Sequence, residues 1–289
     1  MHPRRDRVSR ADAGLVVDCL HSWLPEGCYA AVLHAGDVGW QLRLDDDVVE
    51  SSLILIRDGG DIVAVALADG PSLLRPAIRP DRVHDLAIAG LLADIVEAAP
   101  RTDEAWCEAP SGSALRSVLS ASGWRLDPDP WAVLYKPLAA VDGEYADPLT
   151  GPLRNDNDIA DRVEVQRSAF TGSTFTVPRW HQMASGPGYD PSLDLLRRDR
   201  AGVPVAAATG WSAGTGRSGI LEPVGVHADF GGRGHGKAVS MAVIGALARA
   251  GASGVTVHTP VSNSAAVRVY EGCGLRQVER TQGMYRPAH

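Results

Sequence analysis

The hydrophobic pattern in the second half of the chain predicts alternating strands and helices. Apolar runs at 203–211 and 218–226 are joined by the turn-forming sequence SAGTGRS, as in a β-hairpin. The run at 237–251 is apolar or small on almost every side and ends at a glycine, which predicts a helix packed closely on a sheet. A strand at 254–260 follows, so the segment forms a βαβ crossover, with at least one parallel strand pair inside a mixed sheet.

The two ends of the chain differ in character. A short helix at 263–272 precedes a final pair of strands, within LRQVERT and GMYRP. The first residues, MHPRRDRVSR, are basic, and we expect residues 1–10 to be loosely ordered. This start is too charged for a signal peptide, and no apolar stretch reaches the ~18 residues that span a bilayer. We therefore expect a soluble, cytoplasmic protein with no membrane partner.

Similar passages occur in both halves. APSGSALRSVLSASGWR at 109–125 resembles TPVSNSAAVRVYEGCGLR at 259–276, with four identical residues at a constant offset of 151 positions. These are Ser111, Ser113, Ala114 and Gly123, which correspond to Ser262, Ser264, Ala265 and Gly274. LRPAIRPD at 74–81 likewise resembles LEPVGVHAD at 221–229. The repeat predicts two copies of one fold.

A linker between the copies is indicated by DGEYADPLTGPLRNDND at 142–158, where turn residues and acids collect without apolar periodicity. We predict one domain over residues 1–147 and a second over residues 148–289. The similar sequences LYKP at 134–137 and MYRP at 284–287 then lie near the ends of the two copies. The length of 289 residues fits two domains.

Composition narrows the classes of partner. Hydrophobic residues at 45% and charged residues at 22% are ordinary for a globular protein. The formal net charge of −7 argues against a nucleic acid as partner. The four cysteines form no CxxC pair, so we predict no metal site. The sequence leaves open whether the protein is a monomer or a homodimer.

A glycine-rich loop, GGRGHGK at 231–237, lies between a predicted strand and a helix start. Successive main-chain N–H groups in such a loop, together with the helix N-terminus, favour a phosphate or pyrophosphate. The loop matches neither common nucleotide motif, because Lys237 is followed by Ala238 rather than Ser or Thr, and Val239 stands where GxGxxG needs glycine. A flexible connecting loop is the structural alternative.

The loop and the following helix resemble the GNAT acyltransferase superfamily. The family's phosphate loop reads [Q/R]xxGx[G/A]; Gly231 replaces the first side chain, while Gly234 and Gly236 match the glycine positions. A second family pattern, N-x-x-A-x-x-x-Y followed by E-x-x-G-[FL], is matched at the expected distance. Its residues here are Asn263, Ala266, Tyr270, Glu271, Gly274 and Leu275.

The resemblance implies the fold class, the cosubstrate and the residues that bind it. The fold would be α/β of the α+β type, with two tandem GNAT-like domains, each a mixed, mostly antiparallel twisted sheet with flanking helices. The cosubstrate would be acetyl-CoA or another short acyl-CoA, with no metal. Its binding residues would be Val224, Gly225, Val226, Gly231, Gly232, Arg233, Gly234, His235, Gly236, Lys237, Ala238 and Asn263. Asn263 is equally suited to cap the helix that follows it.

Acyl transfer to an amine needs an acid for the leaving thiolate and a base for the amine. Tyr270 is the candidate acid, with a core aromatic residue as its structural alternative. Glu222 is the candidate base, on the strand face of Val224 and Val226 if the strand is regular to that point. His258 or a water molecule could serve instead, and a main-chain N–H near Val226 could polarise the thioester carbonyl.

The acceptor is expected to be a small-molecule primary amine that attacks directly in a ternary complex. Candidate contacts are Trp180, Tyr189, Trp211 and His258, although aromatic residues such as Trp180 could simply pack helices on the sheet. A peptide or protein N-terminus is the alternative acceptor. A non-catalytic acyl-CoA sensor or interaction protein is the alternative of a different class.

The first half lacks the features that mark the second. RVHDLAIAG replaces the glycine loop, and the repeat offset puts Gly112 and Leu119 at the positions of Asn263 and Tyr270. Arg75 stands where the second half has Glu222. We predict that the first domain is a degenerate, non-catalytic GNAT-like domain. The alternative is that it still binds CoA without reacting.

Overall fold

A computed structural model describes residues 3–29, 33–98 and 103–288. Within these ranges the chain forms nine α-helices and fourteen β-strands. The helices are α1 (Ala13–Trp23), α2 (Ala35–Gln41), α3 (Asp46–Ser52), α4 (Leu86–Glu97), α5 (Ala114–Ala121), α6 (Asp156–Ala169), α7 (Val177–Ala184), α8 (His235–Arg249) and α9 (Ser264–Gly272). The strands are β1 (Arg4–Arg7), β2 (Leu53–Asp58), β3 (Asp61–Ala68), β4 (Leu73–Ile78), β5 (Ala105–Cys107), β6 (Arg125–Leu126), β7 (Trp131–Pro137), β8 (Thr150–Pro152), β9 (Asp194–Arg198), β10 (Pro204–Trp211), β11 (Ser218–Val226), β12 (Gly254–Pro260), β13 (Arg276–Thr281) and β14 (Met284–Arg286).

The described strands form two mixed sheets of seven strands each. The first has the order β1-β2-β3-β4-β5-β14-β6, and its parallel pair is β4 with β5. The second has the order β13-β7-β12-β11-β10-β9-β8, and its parallel pair is β11 with β12. The predicted fold class is confirmed: each sheet is mostly antiparallel, with helices on both faces.

Small residues let the helices approach the second sheet closely. Gly210 of β10 lies under α8, where an added Cβ would come within 2.6 Å of Val243 Cγ1. One core of this sheet therefore lies between its strands and α8 with α9, and another lies on the opposite face under α6 and α7. The first sheet is built likewise, with α4 and α5 on one face and α1, α2 and α3 on the other.

The two sheets exchange one strand each. β7 comes from the first half of the chain but lies between β12 and β13 of the second sheet, where Leu134 joins the core under α8. β14 comes from the end of the chain but lies between β5 and β6 of the first sheet, where Met284 joins the core under α4. The repeated sequences LYKP and MYRP thus occupy corresponding places in opposite sheets.

This exchange corrects the expectation of a final strand pair. LRQVERT and GMYRP both contain strands, but β13 pairs with β7 and β14 pairs with β5 and β6. Periodicity gave no information about the partner, because strand partners are chosen by burial across the whole molecule. The domain boundary between residues 147 and 148 stays a prediction, and each sheet draws on both sides of it.

The start of the chain is more ordered than its charge predicts. Arg4–Arg7 form β1, which pairs with β2 at the edge of the first sheet. Residues 1 and 2 lie outside the described ranges. No helix in the described part of the chain is long and apolar enough to cross a membrane.

Trp211 joins the two halves. Its ring lies against α2 of the first half, where an added Cβ on Gly36 would come within 2.5 Å of Trp211 Cγ. Gly39, one turn later, is equally close to the ring. Glycine at both positions gives the indole a flat surface on which to pack.

Candidate active site

A gap opens in the second sheet between β11 and β12. The described pairing of these parallel strands stops at Ile220 with Thr256. β11 nevertheless continues to Val226, and β12 to Pro260. The edges of the two strands beyond the last pair therefore face a space that a ligand can occupy.

A bulge in β11 corrects the predicted orientation of Glu222. Ala208 of β10 is paired with Val224, but Gly210 is paired with Leu221, so Thr209 faces both Glu222 and Pro223. Leu221, Val224 and Val226 consequently all pack in the core under α8. Glu222 does not share the face of Val224 and Val226, because the strand is not regular there. The bulge turns it toward the first half, where the charges of Asp37 and Arg75 act on it.

The main chain of β11 presents amides to the gap. The N–H of His227 donates to the Val205 carbonyl of β10 at 2.9 Å. N–H directions alternate along a strand, so the amides of Val224 and Val226 point the other way, into the gap. Gly225 lies between them against α6, where an added Cβ would come within 2.9 Å of the Ala169 Cβ. Of the three predicted contact residues, Val224 and Val226 therefore present amides to the gap, and Gly225 lets α6 pack closely on β11.

The glycine loop forms an amide cradle at the N-terminus of α8. Gly232 and Gly234 adopt φ angles of 73° and 82°, the left-handed region that favours glycine. Gly234 is the N-cap of α8 and has no side chain that could accept from the helix amides. Among the described residues, no acceptor bonds to the amides of Gly231 through Lys237. The first amide of this segment that makes a hydrogen bond is that of Ala238, which donates to the Gly234 carbonyl at 3.1 Å. A row of free donors at a helix N-terminus is suited to an anionic phosphate group.

Side chains around the amide cradle are basic. Arg233 and Lys237 are exposed, and the Arg233 guanidinium lies 5.2 Å from the centre of the Phe230 ring. His235 is half-buried as the first residue of α8, and its Nδ1 accepts from Arg197 Nε at 3.2 Å. Burial and the nearby arginines lower the pKa of His235, which favours the neutral ring. A neutral ring has one nitrogen that can accept a hydrogen bond, as Nδ1 does here. Gly236 touches Val226, which brings the cradle to the edge of β11.

Tyr270 lies on α9, across the gap, and Asn263 is the N-cap of that helix. Tyr270 is buried in the core under α8, and burial, followed by the charge of Glu222, raises its pKa above its ordinary value. Asn263 caps α9 by accepting from the Ala266 amide at 3.2 Å, which confirms the capping role. Its side-chain NH₂ is not used by that bond.

Glu222 is held in an unusual electrostatic environment. Its side chain is half-buried. Burial is the main cause of its raised pKa, which is about 7. The neighbouring Asp37 carboxylate raises the pKa further, while Arg75 opposes the change. A carboxyl group with a pKa near neutrality can take up and release a proton at physiological pH.

The first half supplies the charges around Glu222. Arg75 Nη1 donates to Asp37 Oδ1 at 2.8 Å, and Arg75 Nε donates to Glu108 Oε2 at 3.0 Å. Asp37 is itself buried in α2. Sequence reasoning did not identify Asp37 or Glu108, because neither lies in a motif and each reaches the site only through the packing of the two halves.

Strand register explains the place of Arg75 and Glu108. Leu73 pairs with Trp106 in the first sheet as Ile220 pairs with Thr256 in the second. Two residues further along, Arg75 and Glu108 correspond to Glu222 and His258. An ion pair therefore bridges the first sheet at the place where the second sheet has its gap.

Three of the predicted acceptor contacts lie in the core or against it. Trp180, Tyr189 and Trp211 pack together under α6 and α7. Trp180 Nε1 donates to Asp194 Oδ2 at 2.9 Å, and the Tyr189 hydroxyl donates to the same oxygen at 3.3 Å. Asp194 is in turn paired with the fully buried Arg162 at 2.9 Å. Their positions give these three residues a packing role and lend no support to acceptor contact.

His258 lines a cavity of about 440 Å³ between the two sheets. Val255 and Val257 of the same strand pack under α8, so His258 faces the opposite side, toward the first half. The cavity walls come from both halves and from Gln282 and Gly283, where the chain crosses from β13 to β14. Small-molecule sites commonly have this size.

Residues 165–275, which contain the gap, the amide cradle and Tyr270, match the family model of the acetyltransferase (GNAT) family. This segment, residues 165–275, is a GNAT-family domain. A comparison with curated protein sequences finds no match. The family's general chemistry is acyl transfer.

Solved GNAT structures resemble the whole chain. A GCN5-related N-acetyltransferase from Sphaerobacter thermophilus covers 98% of this chain and 95% of its own, with 19% identity and a TM-score of 0.59. A tandem GNAT protein from the clavulanic acid biosynthesis pathway covers 100% and 99%, with 15% identity and a TM-score of 0.62. A GNAT acetyltransferase from Colwellia psychrerythraea covers 98% of both chains, with 12% identity and a TM-score of 0.59. These likenesses show the fold, and they cover both halves of the chain.

Proposed function

We propose that the chain is a cytoplasmic N-acetyltransferase that transfers the acyl group of acetyl-CoA, or of another short acyl-CoA, directly to a primary amine of a small molecule. The observation that carries this proposal is the row of acceptor-free amides from Gly231 through Lys237. This row lies beside a gap that Glu222 and Tyr270 approach from opposite sides, close enough for the charge of Glu222 to act on the tyrosine.

The donor would be held mainly by the main chain. The cradle amides, helped by the exposed Arg233 and Lys237, suit the pyrophosphate, because a helix N-terminus stabilises negative charge. The amides of Val224 and Val226 suit the carbonyl groups of the pantetheine arm. The free NH₂ of Asn263 and the first turn of α8, which includes Ala238, complete the predicted contacts.

The chemistry needs a balanced movement of two protons. The amine nitrogen forms a C–N bond to the thioester carbonyl carbon, the C–S bond breaks, the amine loses a proton to a base, and the sulfur gains a proton from an acid. Tyr270 is the candidate acid, because its phenol carries a proton at neutral pH; burial raises its pKa, which lowers the driving force for donating that proton. Glu222 suits the base, because a pKa of about 7 leaves much of it ionised at neutral pH. His258, on the other wall of the gap, is the second candidate for the base.

Direct transfer is favoured over a covalent acyl-enzyme. Burial raises the pKa of Cys273 to about 11, and it also raises the pKa of the buried Cys107. Both thiols are therefore protonated at neutral pH and are poor nucleophiles. The amine itself is the nucleophile that this arrangement supports.

The first half is proposed to have lost donor binding. Its α4 follows β4 as α8 follows β11, but Asp85 caps α4 and accepts from the amides of Ala87 and Ile88 at 2.9 and 3.2 Å. The guanidinium of Arg82 holds the pKa of Asp85 below its ordinary value, so the cap is anionic. A phosphate at this helix would meet occupied amides and a negative charge. The ion pair of Arg75 and Glu108 bridges the corresponding gap.

Calorimetry of the full chain with CoA, followed by a CoA-release assay with acetyl-CoA and a panel of small amines, tests the proposal. We expect one CoA site per chain and turnover with at least one small amine. Two sites per chain would show that the first half still binds CoA. Binding without turnover of any amine would favour an acyl-CoA sensor, and turnover confined to peptide N-termini would favour a protein acetyltransferase. Absence of CoA binding would contradict the proposal as a whole.

A further inference from the structure

The cavity between the sheets lies on the acceptor side of the gap. The amide cradle is at the N-terminus of α8, on one face of the second sheet. The cavity is bordered on the opposite face, where His258 and Trp131 point toward the first half. A donor lying in the gap from the α8 side would therefore present its thioester toward the cavity, and an amine in the cavity could reach it without crossing the donor.

The first half supplies a large part of the cavity wall. Leu73 and Arg75 come from β4, Trp106 comes from β5, and Glu108 follows directly. Cys107 and Ala105 pack under α4, so the intervening Trp106 and the following Glu108 point to the cavity side. The part of the first half that corresponds to the donor gap, at the ends of β4 and β5, therefore points these side chains toward the gap between β11 and β12.

The charges around the cavity favour a cation. The charged side chains on its described wall are the carboxylates of Glu108, Asp127 and Glu279 and the guanidiniums of Arg75 and Arg116. Arg75 is already neutralised by the buried Asp37 at 2.8 Å, so Glu108 adds a negative charge that Arg75 does not balance. A narrow site with excess negative charge concentrates cations.

The remaining wall favours a flat apolar group. Trp106 and Trp131 come from different sheets, and Leu73 lies beside Trp106 through the strand pairing of β4 with β5. Aromatic faces bind planar rings by stacking, and they also attract cations. The volume of about 440 Å³ admits a small molecule of this kind.

We propose that the acceptor site of this acetyltransferase is shared between the halves: the degenerate half binds a cationic aromatic amine, with Glu108 holding the ammonium and Trp106 and Trp131 enclosing the ring. This inference rests on the proposed function and names its acceptor class. It assigns the first half a binding role in addition to its structural one. The ammonium gives up one proton to solvent, through Glu222 or His258, before the nitrogen forms the C–N bond, and the same base then takes the second proton as that bond forms.

The test uses the full chain saturated with CoA, with tryptamine as the probe and tryptophol as its neutral analogue. We expect calorimetry to show tryptamine binding at least about tenfold more tightly than tryptophol, since a charge-assisted hydrogen bond is lost with the ammonium. Failure of tryptamine to bind, or equal binding of the two compounds, would overturn the proposal. CoA affinity, measured in the same samples, is the separate readout for the proposed function.

Glu108→Gln locates the site. Glutamine can still accept from Arg75, and we expect the variant to weaken tryptamine about tenfold while the affinity for CoA stays unchanged. Glu104→Gln is the matched control, because Glu104 lies near β5 but bonds to the Tyr285 hydroxyl at 2.6 Å, away from the cavity. Equal tryptamine affinity in Glu108→Gln and wild type would contradict the assignment.

Ser111→Trp provides an independent variant if Glu108→Gln fails to fold. Ser111 is an exposed loop residue on the cavity wall, so a larger side chain fills the cavity without disturbing a core. We expect tryptamine binding to be lost and CoA binding to be kept. Retained tryptamine binding in a folded Ser111→Trp variant would exclude this cavity as the acceptor site.

Discussion

The indole Nε1 of Trp211 donates a 2.7 Å hydrogen bond to the main-chain carbonyl of Glu222. The ring that makes this bond packs on the two glycines of α2. The bulge that orients the candidate base is therefore held by a side chain anchored on the first half. Trp211, a residue predicted to contact the acceptor, thus connects the two halves at the site.

Trp211→Phe removes this hydrogen bond and keeps an aromatic ring on α2. We expect a loss of about 1 kcal/mol in the free energy of unfolding, together with a lower kcat, because the bulge carrying Glu222 is less firmly held. Chemical denaturation and steady-state kinetics measure the two effects. Trp40→Phe is the control, since Trp40 packs in the same cluster but against Phe175, with ring centroids 5.0 Å apart. An unchanged kcat in Trp211→Phe would show that the bond does not position Glu222.

Glu222→Gln removes the candidate base. We expect kcat/KM to fall on the order of 10²–10⁴-fold, the usual contribution of a positioned general base. In the wild type, activity should rise with pH through about 7 as Glu222 loses its proton. That acidic limb should be absent from the pH profile of the variant. If the limb persists in Glu222→Gln, His258 becomes the better candidate for the base.

The same pKa shift predicts a pH dependence of stability. The folded state binds the Glu222 proton more tightly than the unfolded state, whose carboxyl titrates near the ordinary value of 4.5. The resulting stabilisation is present below pH 4.5 and is lost as the pH rises through about 7. Glu222→Gln should therefore lose less stability than the wild type between these pH values. Urea denaturation at pH 5 and pH 8 makes this comparison, and parallel curves for the two proteins would contradict it.

Tyr270→Phe removes the candidate acid without changing the ring that packs under α8. We expect kcat to fall about 10²–10⁴-fold, with the affinity for CoA and the thermal midpoint nearly unchanged. Tyr285→Phe is the control, because its hydroxyl bonds to Glu104 on the surface. Full activity of Tyr270→Phe would assign the acid role to another group or to water.

Gly234→Asp copies the cap of the first half onto α8. The new carboxylate would lie beside the cradle amides and repel the pyrophosphate, as the charge of Asp85 is expected to do at α4. We expect CoA affinity to fall by at least about tenfold in calorimetry. Gly59→Asp is the control, because Gly59 also has a positive φ of 63° and open space around it, but lies in the first half. Comparable losses in both variants would point to a general charge effect.

Met284→Ala tests the strand exchange. Met284 is 1% exposed in the core under α4, although it lies five residues from the end of the chain. We expect a loss of about 2–5 kcal/mol in the free energy of unfolding, felt by the first sheet. Unfolding followed by the fluorescence of Trp124, in that same core, reports on this sheet. A variant as stable as wild type would show that β14 contributes little there.

The exchange also decides which protein is suitable for binding studies. A fragment of residues 148–289 would lack β7, which pairs with both β12 and β13. Loss of two ladders from the middle of a sheet would disturb the strand that carries His258. The full chain is therefore the proper subject of the CoA and amine measurements.

Local chemistry made much of the second half predictable. β11 and β12 have the predicted bounds, and α8 begins two residues earlier than its apolar run indicated. The glycine loop could be predicted from the sequence because positive φ angles favour glycine and because a helix N-terminus leaves its amides free. These features depend on residues close together in sequence.

The tertiary structure decided what depends on distant partners. The bulge that reverses Glu222 arises from register against β10, and the exchange of β7 and β14 arises from pairing between segments that lie far apart in the sequence. Asp37, Glu108 and the cavity reach the gap only when the two halves pack around Trp211. A side-chain pattern records which face is buried, but the register and the neighbour of each strand are chosen by the energy of the whole assembled core.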